Sequence, residues 1–195
     1  MRAQAPILLA SASPYRKRLL ARLIDDFEVC PADLDESPLS GECLERLAPR
    51  LAREKAEALS ERYPGHWIIG SDQVAIRDAI RLGKPGDYAT AHRQLSESSG
   101  KCVRFVTSVC LIGPGGVKIR METDESKVYF RQISADLIDR YLRREQPYDC
   151  AAAFKSEGSA IALVRKIEGD DPNALIGLPL ILLSQMMEEV GLEVL

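Results

Sequence analysis

Trp67-Ile68-Ile69-Gly70-Ser71-Asp72-Gln73-Val74-Ala75-Ile76 is the stretch that decides the fold. Apolar residues fall on both parities of the segment, as in a strand covered on both faces at the centre of an α/β sheet. Its polar middle does not suit that burial. A carboxylate at Asp72 is costly there unless it binds metal, pairs with a cation or works as a base. The structural alternative is an Asp hydrogen-bonded to nearby backbone, with Ser71 and Gln73 sharing a polar strand end.

On the N-terminal side, Ile7 to Ala10 reads as a buried strand. Ser11-Ala12-Ser13-Pro14 then opens a helix, with Ser13 as N-cap, Pro14 at the first helical position and Leu19, Leu20 and Leu23 on the inner face. Phe27 to Cys30 is a second short strand, followed by the acidic loop Asp33-Leu34-Asp35-Glu36-Ser37-Pro38. Leu44, Leu47, Leu51 and Leu59 recur at helical spacing. Pro49 interrupts them and predicts a kink or two successive helices.

On the C-terminal side, Asp87 caps a helix through Glu97. Val103 to Ile112, the turn Gly113-Pro114-Gly115-Gly116 and Val117 to Met121 read as a hairpin, with Lys127 to Phe130 a further strand. This β-rich middle suits a second sheet or a dimer surface. Ser134 caps an amphipathic helix with Leu137, Ile138, Tyr141 and Leu142 on one face. Ser159 to Ile167 reads as a strand, and Leu180 to Val190 as a closing helix started by Pro179 and stopped by Gly191. Alternating strand and helix periods define a mixed α/β fold.

The 195 residues fit one domain or two tightly coupled lobes. With 46% hydrophobic and 28% charged residues, the chain has the balance of an ordered globular protein and none of a long disordered tail. A net charge of -3 gives no global attraction to nucleic acid or to an anionic membrane, so any phosphate affinity must be local. Cys30, Cys43, Cys102, Cys110 and Cys150 are scattered without a C-x-x-C pair, which predicts reduced, mostly buried thiols. The apolar run Ile7-Leu8-Leu9-Ala10 is too short for a signal peptide or a membrane span, so a cytosolic location is expected.

Four constellations carry chemistry. Ser11, Ser13, Arg16, Lys17 and Arg18 surround the start of the first helix, where free N–H groups and added cations would cradle phosphate; the alternative is a capped surface helix with solvated basic residues. Asp72 is the second. Glu36, Lys55 and the Gly83-Lys84-Pro85 turn are the third, offering carboxylates for a divalent ion and lysines for phosphate oxygens, although a lone Lys or Glu is ordinarily just solvated. The fourth is Phe154-Lys155-Ser156-Glu157-Gly158, which on its own reads as a turn into a strand.

In this order the pieces resemble the Maf family of nucleotide pyrophosphatases. The resemblance rests on Leu9-Ala10-Ser11-Ala12-Ser13-Pro14 with Arg16-Lys17, Asp35-Glu36-Ser37-Pro38, Lys55-Ala56, Ile69-Gly70-Ser71-Asp72, Gly83-Lys84-Pro85, Phe154-Lys155-Ser156-Glu157-Gly158, Gly169-Asp170-Asp171-Pro172-Asn173 and Gly177-Leu178-Pro179. It implies a single Maf-like domain over residues 1–195, an elongated mixed sheet like that of Maf and ITPase proteins with flanking helices and a deep cleft between two lobes. It also implies a divalent metal cofactor (Mg, Mn or Co), homodimers, and release of diphosphate from a nucleoside triphosphate. By the same resemblance Asp72 is catalytic, Ser13, Arg16, Lys55 and Lys84 bind substrate, and Glu36 and Asp72 hold metal.

Gln73 and Glu157 resemble the 7-methyl-GTP branch of the family, in which Thr and Gln mark the dTTP and UTP branch. A guanine edge offers N–H donors that a carboxylate accepts, and N7-methylation adds a positive charge that suits Glu157. Tyr15 departs from the Trp of that branch, yet an aromatic ring still stacks on a cationic base. Ala152 and Ala153 depart from small residues including Gly. The alternatives are a dTTP/UTP-type pyrophosphatase and a non-catalytic nucleotide-binding regulator of cell division.

Overall fold

A computed structural model describes residues 5–116 and 119–194. Its first strand shows how the sheet is covered. In β1 (Ile7–Leu9), Ile7 and Leu9 pack on one face, while Leu8 and the following Ala10 pack on the other. β3 (Trp67–Arg77) does the same, with Trp67 and Ile69 on the first face and Ile68 on the second. Val109 and Leu111 of β5 (Cys102–Ile112) join the first core, and Cys110 and Ile112 the second. Two-residue periodicity thus feeds two hydrophobic layers at once, which is why these strands read as nearly continuous apolar runs.

The first layer is closed by Leu19 and Leu20 of α1 (Pro14–Leu20) and by Leu180, Leu183, Met186 and Met187 of α5 (Leu180–Glu189). The second is closed by Ala52, Ala56 and Leu59 of α2 (Leu44–Ser60). The remaining elements are β2 (Glu28–Val29), β4 (Ile80–Leu82), α3 (Tyr88–Ser98), β6 (Ile119–Phe130), α4 (Ala135–Glu145) and β7 (Val164–Glu168). Sheet order is β2-β1-β3-β5-β6-β7, with β4 paired to β3. β1 runs parallel to β2 and β3, whereas the β3/β4 and β6/β7 pairs are antiparallel. The mixed α/β class expected from the sequence is the one observed.

The chain divides into two compact units. The first takes the described residues of Met1–Asp72, Thr107–Asp124 and Asp171–Leu195; the second is Gln73–Val106 with Glu125–Asp170. The second has its own core, where Phe154 meets Phe105 at a centroid distance of 5.7 Å and Phe130 at 5.6 Å. Ile138, Tyr141 and Leu142 are the buried face of α4.

The structure departs from the expected elements at several places. Of the kink or two successive helices expected at Pro49, two helices are not formed: α2 is one helix running through Pro49, because one lost backbone bond is offset by a buried stripe from Leu47 to Leu59. Ser159 to Leu163 forms a 3₁₀ turn and only Val164–Glu168 is strand; Ala160 and Leu163 are buried three apart, while Ile161 is exposed, which is the 3₁₀ period. The strand expected at Lys127 begins at Ile119, its inward positions carrying the polar Asp124 and Ser126 before Val128 and Phe130, so apolar alternation is hidden. Val117, where that hairpin arm was expected to start, lies outside the described residues. Of the five free cysteines only Cys110 is buried; Cys43 is exposed at the N-cap of α2. Strand β4 is an addition: its turn residues Asp78 and Ala79 both take positive φ (49° and 63°), an Asp-Ala pair in place of the usual Asp-Gly hairpin signal.

Candidate active site

Gly70 is where the site is set. A Cβ at this position would lie 2.1 Å from the Ala52 carbonyl oxygen and 2.9 Å from the Ala56 nitrogen, so α2 lies against β3 more closely than any side chain permits. Lys55 stands on the buried stripe of α2 between Leu51 and Leu59. It is only 6% exposed, as is Asp72 two residues beyond Gly70, and its Nζ donates to Asp72 Oδ1 at 2.6 Å. The same Nζ lies 2.5 Å from Glu36 Oε1, on a side chain that is 47% exposed. One ammonium therefore joins a buried carboxylate to one that opens to solvent.

The loop bearing Glu36 is tied down beside it. Arg50 of α2 donates to the Ser37 carbonyl at 3.0 Å, and Asp35 accepts the Ser37 N–H at 2.9 Å. Arg50 itself is held by Glu42 at 2.6 Å and Glu54 at 2.8 Å.

Arg16 turns inward from α1. Its Nε donates to the Gly177 carbonyl at 2.8 Å and its Nη1 to Ser11 Oγ at 3.4 Å. Burial pulls the guanidinium below its ordinary pKa, and the charges of Asp72 and Glu36 act in the opposite direction. Ser71, fully buried, donates its hydroxyl to the same Gly177 carbonyl at 3.0 Å. The turn before Gly177 is fixed by Asp171, 2% exposed, which accepts the Asn173 N–H at 2.8 Å and the Ile181 N–H of α5 at 2.7 Å.

Ser13 caps α1, its Oγ accepting the Arg16 N–H at 3.3 Å. Lys17 and Arg18 lie in the last turn of this seven-residue helix, where cations are favourable, whereas the Arg16 side chain turns to the Gly177 carbonyl. Tyr15 is half-buried, and the Arg18 guanidinium carbon lies 5.0 Å from its ring centroid, a cation–π pair.

Ser13, Tyr15, Arg16, Glu36, Lys55 and Asp72 belong to the first unit; Gln73, Lys84 and Glu157 belong to the second. Gln73 is half-buried, while Lys84 and Glu157 are exposed. The Gly83 carbonyl beside Lys84 accepts from Gln94 Nε2 at 3.1 Å and from the Ala152 N–H at 3.3 Å. Ser71, Gly70 and the Gly177 carbonyl were not singled out as site groups by the sequence reading. The glycine inside a strand was the available signal of close backbone approach.

Among the described residues no three His, Cys, Asp or Glu side chains group as a ligand set. One oxygen each of Asp72 and Glu36 is taken by Lys55 Nζ; the two carboxylates are still hard donors of the kind by which one or two carboxylates hold Mg²⁺ while water and phosphate oxygens complete its shell. Two carboxylates against Lys55 and Arg16 make the group neutral. It lacks the surplus charge to neutralise a triphosphate alone.

An α/β sheet covered on both faces, with a buried lysine–carboxylate pair on its central strand, is the class that fold and site define. The chain belongs to the Maf family: the family model described as Maf-like protein matches residues 6–190. A 7-methyl-GTP pyrophosphatase of Nitrosococcus oceani is 47% identical over 97% of this chain and 95% of its own. Proteins of the same name from Albidiferax ferrireducens and Pseudomonas aeruginosa are 47% and 46% identical, over 98% and 96% of this chain and 96% and 98% of theirs.

Proposed function

We propose that this protein is a nucleoside triphosphate pyrophosphatase that hydrolyses 7-methyl-GTP to 7-methyl-GMP and diphosphate. The observation that carries the reading is Lys55 Nζ shared by buried Asp72 and exposed Glu36. Near-full-length relatives bearing that activity in their names support the substrate, as do Gln73 and Glu157.

In this reading Arg16, Lys55, Ser13 and Lys84 bind the phosphates. Asp72 orients a water and takes its proton as the water oxygen attacks the α-phosphorus. The bond from the α-phosphorus to its bridging oxygen breaks, and diphosphate leaves. Lys55 donates to Asp72 Oδ1 and so fixes the orientation of that carboxylate. A divalent cation bound by Asp72 and Glu36 would supply charge neutralisation and Lewis acidity. Tyr15, Gln73 and Glu157 read the base, Tyr15 by stacking on its positive charge. The enzyme acts in the cytoplasm as a homodimer on a small nucleotide; among the described residues no helix is long and apolar enough to cross a membrane.

The test is diphosphate release from 7-methyl-GTP with Mg²⁺, Mn²⁺ or Co²⁺, comparing wild type with Asp72→Asn. The variant is expected to lose about 10²- to 10⁴-fold in kcat, the range a general base supplies, with an unchanged circular dichroism spectrum. Near-wild-type turnover in Asp72→Asn would remove Asp72 from the mechanism. Tight nucleotide binding by the wild type with no diphosphate formed would replace the enzyme by a nucleotide-binding regulator.

A further inference from the structure

The segment Phe154-Lys155-Ser156-Glu157-Gly158 is gripped at both ends by one helix, α4. At the N-terminal end, the buried Tyr141 phenol donates to the Ala153 carbonyl at 2.9 Å and accepts the Lys155 N–H at 3.0 Å. Burial pushes this phenol above its ordinary pKa, so it remains a donor. At the C-terminal end, Glu145, the last residue of α4, accepts the Ser159 hydroxyl at 2.7 Å and the Ser159 N–H at 2.9 Å through one carboxylate oxygen. Its other oxygen lies 3.2 Å from the Lys155 ammonium, and Arg144 is 3.8 Å from the first.

The grip leaves little room. A Cβ at Gly158 would come 2.7 Å from Glu145 Oε2 and 2.9 Å from its carboxyl carbon. The Glu145 side chain is 12% exposed, and its carboxyl is held down to about 2, chiefly by the Ser159 hydroxyl and N–H and by Lys155. A charged carboxylate thus ties down Lys155 on one side of the Ser156-Glu157 pair and Ser159 beyond its other side, and occupies the cation of the segment.

We propose that Glu145 and Tyr141 are positioning residues for base recognition, holding the Lys155–Gly158 segment so that Glu157 meets the base in one orientation. The proposal rests on the reading of Glu157 as a base-recognising group. Neither side chain touches the reacting atoms in this account. Their loss therefore changes which nucleotide is bound rather than how fast a bound one is cleaved.

The experiment measures kcat and KM for 7-methyl-GTP and GTP with the full chain and with Glu145→Gln, Tyr141→Phe, Glu157→Gln and the double variant Glu145→Gln/Glu157→Gln. Glu145→Gln keeps an oxygen for Ser159 and loses the charge; Tyr141→Phe loses one hydroxyl and serves if the first variant folds poorly. Glu157→Gln is expected to lower the 7-methyl-GTP over GTP ratio of kcat/KM by about tenfold or more, and each α4 variant to lower it about five- to tenfold through KM for the methylated nucleotide. Added to Glu157→Gln, Glu145→Gln should lower the ratio no further, because residues acting through one group are non-additive. An equal loss of kcat on both nucleotides, or a further fall in the double variant, would show a merely structural role and overturn the proposal. An unchanged ratio in Glu145→Gln and Tyr141→Phe, with a lowered one in Glu157→Gln, overturns the positioning role alone. An unchanged ratio in Glu157→Gln overturns the base-reading role of Glu157 and this inference with it.

Discussion

Asp72 and Lys55 are a buried ion pair with a third member, Glu36, that reaches solvent. Removing one member of such a pair is worse than removing both, because the survivor keeps its desolvation cost without its partner. Lys55→Met is expected to destabilise the protein by about 3 kcal/mol, a fall of roughly 6–12 °C in Tm. Lys55→Met/Asp72→Asn should recover most of that fall, as read by thermal unfolding; additive losses in the double variant would show that the two side chains contribute independently. Asp72 was legible in the sequence because a carboxylate amid Ile68, Ile69, Val74 and Ile76 has no cheap explanation. Lys55 was harder to read, since one lysine looks like any solvated lysine. Its place at the middle of Leu51, Lys55 and Leu59, each four apart, was the signal that it faces inward. The residue pattern alone did not tell Arg16 apart from Lys17 and Arg18, although the family resemblance did; in the structure its bond to the Gly177 carbonyl, 161 residues away, separates it.

At the scale of elements, two backbone positions decide how site segments are held. Gly70 lets α2 reach β3, and a methyl group there would collide with backbone at Ala52 and Ala56 rather than with a movable side chain. Gly70→Ala is expected to push α2 outward, with a loss of about 3 kcal/mol or more in stability and of turnover, since Lys55 moves with its helix. Wild-type Tm and activity in that variant would contradict the close packing. Ala152 and Ala153 present the opposite case. Both are buried with φ of 56° and 53°, the left-handed region that a Cβ disfavours, immediately before Phe154. Ala152→Gly should relieve about 1–2 kcal/mol of strain against about 0.4–1 kcal/mol of added unfolded-state entropy, a net gain of up to about 1.6 kcal/mol in denaturant unfolding. A destabilised variant would contradict that reading. The departure from glycine was visible in the sequence, but its consequence required the backbone angle. The hairpin β3–β4 escaped notice for a related reason, since Asp78-Ala79 lacks the glycine that usually marks such a turn.

For the whole molecule, the alternation of strands and helices and the apolar runs of β1, β3 and β5 were enough to give the mixed α/β class, because strands buried on both faces leave an unmistakable composition. The order β2-β1-β3-β5-β6-β7 was not legible, since pairing partners far apart in the chain leave no local pattern. Neither was the division of β3 between units, which falls between Asp72 and Gln73, the residues assigned to chemistry and to the base. Family membership over residues 6–190, and relatives matched along almost their whole length, extend the similarity to the entire fold rather than to a fragment of it. The substrate rests on fewer residues, Tyr15, Gln73 and Glu157. It is tested most directly by kcat/KM for diphosphate release across a panel of 7-methyl-GTP, GTP, dTTP and UTP with one divalent metal. The account predicts the highest value for 7-methyl-GTP, with 7-methyl-GMP as the nucleotide product; a higher value for dTTP or UTP would contradict it.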